Sequence, residues 1–510
     1  MSGILLSPKV NRLLFKLTRK KSIVISIISI ILLTGLIIIL SLTPLKTQQE
    51  KINASLIRQL TSSYQLRLKP KCDRFTSYKQ DSNNYWQYYG YDDYDIKLTQ
   101  NELLNLLNIN DNQELELTKI HEYLLNFYLT EKNPIFNNYN ELYNNYYTND
   151  VNLNGIVYVS GKDYYWLTII SIKYIRDVLR DKTTPIEIFI PYYDKSDDLI
   201  CSKINSVFKN IHCSYFSHYL SVNTIKKFKG YQYKSLALLL SRFTNVLYLD
   251  SDNILIESPI NLFKSEKFLN HGMISWPDFW KRSTNPIYYK TSGLEPIISV
   301  VSSTPSVESG EILINKKTHI KTLLLSYYYN LFGPDYFYPL FSQGFPGEGD
   351  KETFYLASRV INEGSFLITG TKTKIVGYIN NFNNQFFGQS ILQRNPDNFN
   401  KFSFFHCNYP KLQIDKLDKS YFYDDLESNN RRRSWQIIRD AKKDNNGGGL
   451  IPLKKGIKID LELKIWEIMF ELLDKDFNGF ELFESSSNSD NLVKIKENIF
   501  FLKNQGSLIL

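Results

Sequence analysis

Two aspartates one residue apart, Asp250 and Asp252, follow the apolar run "NVLYL" in the stretch "NVLYLDSDNILIESPINLF". A short run rich in Val, Leu and Tyr is typical of a buried strand, so both carboxylates fall where that strand leaves its sheet. In open α/β sheets ligands bind at this carboxyl end. Paired carboxylates there suit a hard divalent cation such as Mg²⁺ or Mn²⁺, which would bridge the protein to a diphosphate.

The same Asp-x-Asp pattern occurs as "DYD" at residues 93–95 and as "DKD" at residues 474–476. The first lies in a polar, Tyr-rich segment and the second at the end of a predicted helix, so neither follows a strand-like run. The alternative for Asp250 and Asp252 is that they cap the turn before "NILIESP". The strand before them favours the metal site.

The elements around this pair predict an α/β domain. The β-rich runs "GIVYVS" and "PIEIFIP" flank "DYYWLTIISIKYIRDVLR", which has helical length and periodicity, and "YKSLALLLSRF" is a second helix leading into the strand before Asp250. These β-α-β steps predict a doubly wound sheet over residues 151–510, with "DLELKIWEIMFELLDKD" in a C-terminal helical extension. Residues 85–150 carry one further helical patch, "NELLNLLNINDNQELELTKIHEYLLNFYL".

Bulk composition excludes two classes of protein. The hydrophobic share of 43% and the aromatic share of 15% over 510 residues can bury a large core, which argues against a disordered chain. The net charge of +9 is modest and is not gathered into one basic stripe, which argues against a nucleic-acid partner.

An uncharged apolar run at residues 22–42 is long enough to span a bilayer, which takes about 20 residues. Six Lys and Arg side chains precede it, so the positive-inside rule predicts a cytosolic tail at residues 1–21 and a luminal stem at residues 43–84. The alternative is a cleaved signal peptide, but the run exceeds a typical h-region and no small-x-small site follows it. The sequence therefore predicts a single-pass type II membrane protein.

Four cysteines are few for a disulfide scaffold, although a lumen would be oxidising. Cys201 and Cys213 are close in sequence and are the best candidates for a bridge. The alternative is that all four are buried thiols.

Five motifs in order resemble one known family: "VLYLDSDNILIESPINLF", "WPDFWKRSTNPIYY", "ESGEILINKKTHIKTLLLSYYYN", "SQGFPGEGDKETF" and "FFHCNYPK". Together they resemble the fungal Golgi α-1,2-mannosyltransferases that branch N-glycan outer chains, in glycosyltransferase family 71, over residues 155–411. The resemblance implies a GT-A-like (Rossmann-like) fold, GDP-mannose as donor, Mn²⁺ as the metal and transfer with retention. It also implies a mannose-containing glycoprotein glycan as acceptor, residence in the Golgi membrane, and a complex with other Golgi mannosyltransferases.

The resemblance implies metal-binding roles for Asp250 and Asp252, with Asp252 the better candidate for direct coordination. His406, at the end of a later predicted strand, is a third candidate ligand, and the alternative is a hydrogen-bonded core histidine. Lys234, just before the second helix's apolar residues, could reach the diphosphate or be a solvated lysine. Gly161, after the first strand, could line the nucleotide path or be a simple turn glycine.

The motif "GEGDKETF" places acidic groups on a glycine-containing turn that opens a helix, and Glu348, Asp350 and Glu352 are candidates for holding sugar hydroxyls or steadying positive charge at the reacting carbon. The neighbouring Lys351 belongs to the same turn. The alternative is helix N-capping by Asp350.

In "WPDFWKR", Asp278 between Trp276 and Trp280 resembles a carbohydrate site, because flat aromatic faces pack on sugar rings and a carboxylate accepts from their hydroxyls. Buried tryptophans around a capping aspartate would give the same pattern.

Three hypotheses remain for the function. The first is a retaining, metal-dependent mannosyl transfer, in which a phosphate oxygen of the leaving group takes the acceptor's proton and no protein base is named. The second is a transferase that uses another nucleotide sugar or makes α-1,3 linkages. The third is an inactive, membrane-tethered carbohydrate-binding protein.

Overall fold

The computed structural model describes residues 55, 57–59, 61–64, 67–75, 99–138, 153–191, 195–294, 305–345, 347–368, 373–379, 386–414, 417, 431–439, 450–452, 460–478, 480 and 488–504. They belong to one compact unit, Ala54–Leu510, and the other unit, Met1–Asn53, lies outside the described residues. Across the described part of the chain, no helix is both long and apolar enough to cross a membrane. The anchor predicted at residues 22–42 lies outside that part.

The strands are β1 Asn154–Val159, β2 Ile186–Ile190, β3 Ile211–Tyr215, β4 Asn245–Leu249, β5 Asn253–Leu255, β6 Met273–Lys281, β7 Pro305–Asn315, β8 Phe366–Leu367, β9 Lys374–Ile379, β10 Phe386–Arg394, β11 Phe402–His406, β12 Ile437–Arg439 and β13 Leu450–Pro452. The helices are α1 Gln100–Leu106, α2 Asp111–Tyr123, α3 Tyr165–Lys173, α4 Lys195–Val207, α5 Val222–Ile225, α6 Gln232–Leu240, α7 Pro259–Phe263, α8 Glu266–His271, α9 Pro286–Thr291, α10 Ile320–Leu331, α11 Tyr338–Ser342, α12 Thr353–Ile361, α13 Leu461–Glu471 and α14 Asn488–Asn504.

Two sheets form the framework. The seven-stranded sheet has the order β3-β2-β1-β4-β7-β6-β8, and its half from β3 to β4 is parallel. The chain runs from β1 outward to β3 and then crosses back to β4 on the other side of β1, which confirms the predicted doubly wound arrangement. Strand β7 joins β4 antiparallel, so the whole sheet is mixed.

The six-stranded sheet has the order β13-β12-β9-β10-β11-β5 and is antiparallel. The link between the two sheets is short, because β4 ends at Leu249 in the first sheet and β5 begins at Asn253 in the second. The Asp-x-Asp motif occupies this link.

A continuous hydrophobic core joins both sheets to the C-terminal helices. Ile156 and Leu247 of the parallel strands, Phe404 of β11 and Trp466 of α13 all belong to it and are almost fully buried. Parallel strands are covered on both faces, which explains why β1, β2 and β4 are mostly apolar rather than alternating, with Glu187 a buried charged residue in β2.

The helical patch predicted before the sheet is two helices rather than one. Strand-like backbone at Leu107 ends α1, and the side chain of Asn110 then accepts from the backbone N–H of Gln113 to begin α2. Asn110 and Gln113 form a capping box, in which each side chain accepts from the other residue's backbone N–H. The polar residues between the two leucine-rich runs therefore begin α2.

Described residues of the predicted stem pack on this unit. Tyr64, Leu68 and Phe75 are buried, and the hydroxyl of Tyr328 in α10 donates to the Leu68 carbonyl at 2.9 Å. The bridge between Cys201 of α4 and Cys213 of β3 is present, as the sequence spacing predicted.

Candidate active site

The aspartate pair is fixed by backbone hydrogen bonds at the link between the sheets. The Asp250 N–H donates to the Gly310 carbonyl of β7 at 2.8 Å, and the Asn253 N–H donates to the Asp250 carbonyl at 2.9 Å. The Asp250 side chain is 27% exposed and that of Asp252 is 7% exposed. Both carboxylates therefore stand at the carboxyl end of β4, where ligands bind in sheets of this type.

Asp250, Asp252 and His406 each offer a ligand atom, and these atoms lie within 4.8 Å of one another. His406 is the register partner of Asn253 in the β11–β5 ladder, and its Nε2 atom is 3.2 Å from Asp252 Oδ1. Its Nδ1 atom is buried without a hydrogen-bond partner among the described residues. Two carboxylates suit Mn²⁺ or Mg²⁺, and a nitrogen ligand beside them favours a transition metal such as Mn²⁺ over Mg²⁺, which takes oxygen ligands.

Neighbouring charges shift the pKa values of His406 and Asp252 in opposite directions. Burial alone would lower the pKa of His406, but the carboxylates of Asp252 and Glu308 outweigh it and raise that pKa to about 10. Burial would raise the pKa of Asp252, but His406 and Lys411 outweigh it and hold that pKa well below its usual range. In the absence of a metal ion, the protein therefore holds an imidazolium beside a carboxylate.

A large cleft opens beside the group. Its volume is about 670 Å³, and the carboxyl ends of β1, β2 and β4 form its floor. Gly161 lies on its wall with a φ of +154°, a backbone conformation that side-chain-bearing residues rarely adopt, so the predicted role of glycine at this turn has a conformational basis. Asp250, Asp252 and Lys234 line the same cleft, so the structure brings all four predicted nucleotide-site residues together.

Lys234 is a buried cation rather than a solvated one. It lies on α6, and its Nζ atom is 3.3 Å from Asp250 and 3.1 Å from Asp350 Oδ2, with a hydrogen bond to the Ser309 carbonyl at 2.6 Å. These carboxylates outweigh the effect of burial and raise its pKa, so the ammonium stays charged.

The acidic turn contributes one residue to this group. Asp350 accepts from Ser309 Oγ at 3.1 Å and pairs with Lys234, and burial together with Asp250 raises its pKa to about 6. Its carboxylate is therefore directed to the site and not to the N-terminus of α12. Glu352, the residue immediately before α12, makes no side-chain cap either. The N-capping alternative for Asp350 is wrong.

The other two acidic residues of the turn lie elsewhere. Glu352 accepts from Ser306 Oγ at 2.8 Å and from the Val307 N–H at 3.0 Å, so it holds the start of β7. Glu348 accepts from the Gly344 N–H at 2.9 Å and stabilises its own turn. Their predicted catalytic roles stay predictions, and their contacts in the structure are structural.

Asp278 of β6 forms a second acidic position. Its Oδ2 atom is 3.3 Å from Lys351 Nζ, and burial together with Glu308 raises its pKa to about 6 although Lys351 opposes the shift. Trp276 is fully buried and donates from Nε1 to the Arg394 carbonyl at 2.8 Å, so it presents no face to a sugar. The buried-tryptophan alternative is correct for Trp276.

Two residues near the metal group had no assigned role in the sequence analysis. Lys411, three residues past "HCN", places Nζ 2.7 Å from Asp252 Oδ2 while 44% of its side chain is exposed in the cleft. Glu308 of β7 places Oε1 3.6 Å from His406 Nδ1. Lys411 belongs to the motif "FFHCNYPK" and Glu308 to the motif "ESGEILIN". Nothing in the spacing of these motifs showed that the two side chains lie near the metal group.

The other Asp-x-Asp matches are not part of this site. In the second match, Asp476 pairs with Lys173 of α3 at 2.8 Å, so it joins the C-terminal helical region to that helix. The first match, at residues 93–95, lies outside the described residues.

A protein-family model described as "Mannosyltransferase putative" matches residues 153–304 and 298–408, which together are half of the chain. The chain belongs to this mannosyltransferase family. The family segment contains Asp250, Asp252, Asp350 and His406, whereas Lys411 follows it by three residues. The resemblance drawn from the five motifs is thereby confirmed.

Among curated proteins, the α-1,2-mannosyltransferase MNN21 of Candida albicans is 34% identical over 69% of this chain and 62% of its own length. The α-1,2-mannosyltransferase MNN2 of Saccharomyces cerevisiae is 34% identical over 55% of this chain and 50% of its own. The chain thus spans between half and two thirds of these two relatives.

Solved structures are more distant. The galactosyltransferase LgtC matches over 36% of this chain and 66% of its own at 15% identity with a TM-score of 0.25. Mouse xyloside xylosyltransferase 1 matches over 42% of this chain and 85% of its own at 11% identity with a TM-score of 0.29. Scores this low do not establish a shared fold.

Proposed function

We propose that the protein is a metal-dependent, retaining mannosyltransferase that moves mannose from GDP-mannose to a mannose residue of a glycoprotein glycan, with an α-1,2 linkage. The observation that carries this proposal is the convergence of Asp250, Asp252 and His406 at the rim of a cleft of about 670 Å³ in a chain of the mannosyltransferase family. The names of its curated relatives support the linkage.

Asp250, Asp252 and His406 would hold the cation, for which we propose Mn²⁺. When bound, such an ion stabilises the negative charge that develops on a leaving diphosphate. Lys411 is exposed in the cleft and carries a flexible ammonium beside Asp252, so it can reach a phosphate oxygen there. Lys234 neutralises Asp250 and Asp350 and keeps their carboxylates in place.

We propose Asp350 and Asp278 as the carboxylates that accept hydrogen bonds from sugar hydroxyls. Both are buried, and both keep a lysine within 3.3 Å. In a front-face transfer the acceptor hydroxyl gives its proton to a phosphate oxygen of the leaving group, so the protein need not supply a base. Its residues position donor and acceptor and stabilise charge.

We also propose that the chain is a single-pass type II protein of the Golgi membrane whose folded unit is luminal and assembles with other Golgi mannosyltransferases. The apolar run at residues 22–42 and the basic residues before it support this topology. Protease protection of sealed microsomes tests it. Cleavage of the folded unit without detergent would overturn the topology.

The decisive experiment is a donor screen with the full-length protein and a simple α-mannoside acceptor. Mn²⁺-dependent transfer from GDP-mannose but not from UDP-sugars, stopped by EDTA, is the expected result, and NMR of the product then gives the linkage and the anomeric configuration. A protein that binds mannosides but releases no GDP under any condition would instead be the carbohydrate-binding protein of the third hypothesis.

A further inference from the structure

We infer that Asp197 recognises the base of the donor nucleotide and that it distinguishes guanine from uracil. The inference rests on the proposed function, because it assigns one end of the cleft to the base of the nucleotide sugar. It names a specificity residue that neither the sequence motifs nor the family match supplies.

The cleft has two chemically different ends. Strands β2, β1 and β4 are neighbours in that order, so the ends of β2 and β4 lie about 10 Å apart at ordinary strand spacing. The β4 end carries the metal group with Lys234 and Lys411. The β2 end carries Pro191, followed by Asp197 in the first turn of α4.

This polarity orients a nucleoside diphosphate. Its phosphates are anionic and belong at the end with the two lysines and the cation site, whereas Asp197 would repel them. The nucleoside therefore extends along the carboxyl ends of β1 and β2, which places the base beside Asp197. Ile190 and Pro191 line the cleft there and provide apolar surface for a planar ring.

Asp197 is held by a buried phenol. The Tyr165 hydroxyl at the start of α3 donates to Asp197 Oδ1 at 2.5 Å, and Tyr165 itself is 1% exposed. Burial and the neighbouring Asp197 raise the pKa of Tyr165, so its hydroxyl remains a donor. A recognition group anchored to a buried side chain loses little conformational freedom when it binds.

The chemistry of a carboxylate favours guanine. An ionised aspartate only accepts hydrogen bonds. Guanine presents two adjacent donors, N1–H and the N2 amino group, which match the two oxygens of a carboxylate. Uracil presents a single N3–H between two carbonyl oxygens that a carboxylate repels. A site built to pair with two donors rejects a base that lacks them.

The test measures binding rather than turnover, by calorimetry on the full-length protein with Mn²⁺ and with GDP, UDP and IDP, whose hypoxanthine base lacks the N2 amino group. For the unaltered protein we expect GDP to bind about 10- to 100-fold more tightly than UDP, with IDP in between. Asp197→Asn should weaken GDP binding by a similar factor, leave UDP binding nearly unchanged and make GDP and IDP equivalent.

Asp198 supplies a matched control. It is the next residue of α4, its Oδ1 atom accepts from the Tyr215 hydroxyl at 2.7 Å, and it is not among the residues lining the cleft. Asp198→Asn should therefore leave all three affinities unchanged. Tyr165→Phe removes the group that positions Asp197, so it should weaken GDP binding by less than Asp197→Asn does, again without changing UDP binding.

Three outcomes would overturn the inference. If Asp197→Asn weakens GDP, UDP and IDP alike, Asp197 binds the ribose and not the base. If the variant leaves GDP affinity unchanged, Asp197 contacts no part of the nucleotide. If the unaltered protein binds GDP and UDP equally, the base is not selected. Failure of the unaltered protein to bind any nucleotide would instead overturn the proposed function, and with it this inference.

Discussion

His406 Nε2 lies 3.2 Å from Asp252 Oδ1 across 154 residues of sequence. The contact follows from strand register, because His406 pairs with Asn253 in the β11–β5 ladder and so stands beside the residue before it. The imidazole is thereby presented to the aspartate pair by rigid backbone on both sides, which is what a precise ligand group requires.

Substitution in the aspartate pair should abolish transfer. We expect Asp252→Asn to lower kcat at least about 100-fold, because the amide oxygen binds a divalent cation weakly and the leaving diphosphate loses its counter-charge. Asp474→Asn, in the second Asp-x-Asp motif, is the matched control and should retain full activity. Transfer assays on both variants, with circular dichroism to confirm folding, decide the point. Unchanged activity and metal dependence in Asp252→Asn would rule out the site.

Metal binding should release a proton from His406. Its pKa is raised to about 10, so the imidazole is protonated at neutral pH and must lose its proton to become a ligand. We expect Mn²⁺ affinity to rise about tenfold per pH unit from pH 6 to pH 8, with about one proton released per ion. Calorimetry in buffers of different ionisation enthalpy counts the protons. A pH-independent affinity would contradict the assignment of His406.

The same raised pKa makes a prediction about stability in the absence of a metal ion. Because the folded protein holds the His406 proton more tightly than the unfolded chain, the free energy of unfolding gains a contribution that is complete below about pH 6.5. That contribution is lost as the pH rises toward about 10. Denaturant titrations with EDTA should show this decline in the unaltered protein and a flatter profile in His406→Gln.

Lys234 should be essential for stability. Lys234→Met removes the ammonium between Asp250 and Asp350 and leaves Asp350 buried without its counter-ion. We expect a loss of about 3–5 kcal/mol in the free energy of unfolding. Lys119→Met breaks an exposed pair with Glu116 and should cost less than about 1 kcal/mol. Equal effects in urea titrations would contradict the buried network.

Lys411 should act on the donor and not on folding. Its side chain is 44% exposed and buried Asp252 keeps His406 beside it, so Lys411→Gln should change the free energy of unfolding by much less than Lys234→Met does. If its ammonium contacts a phosphate, the KM for the donor should rise about tenfold, which corresponds to one charge-assisted hydrogen bond. Lys401→Gln, an exposed lysine just before β11, should leave KM unchanged. A stable Lys411→Gln with normal KM would exclude the phosphate contact.

Activity should fall in acid. The pKa values of Asp278 and Asp350 are raised to about 6, so both carboxylates are ionised above that pH and become protonated below it. Protonation removes acceptors for sugar hydroxyls, so we expect kcat/KM to decline as the pH falls through about 6. A profile that is flat down to pH 5 would show that neither carboxylate is needed in its ionised form.

Much of the framework could be predicted from the sequence because it is encoded locally. Apolar runs that end in polar residues predicted β1, β2 and β4. The carboxyl end of the β4 run predicted Asp250 and Asp252 as site residues. His406 was a candidate because it ends a later predicted strand and because the family resemblance implies a distant histidine ligand. The boundary between α1 and α2 was missed, since the leucine spacing hides the capping signal at Asn110.

The partners of the site residues could not be predicted, because they depend on contacts distant in sequence. Glu308 looks like any strand residue until β7 is placed beside β4 and His406. Asp350 and Glu352 are two residues apart and chemically alike, yet one faces Lys234 and the other Ser306. Which of them reaches the metal group is set by how α12 packs, and no local pattern carries that information.

The aspartates occupy the short link between two sheets, and their candidate partner His406 belongs to the second sheet while Asp350 and Lys234 pack on the first. A cation held by this group would add a further link between the two sheets, which already share a packed core and hydrogen bonds such as that from Trp276 Nε1 to the Arg394 carbonyl. Its binding should therefore slow amide hydrogen exchange in β4, β5 and β11 together. Binding of the ion would then determine how rigid the two halves of the cleft are before a sugar binds.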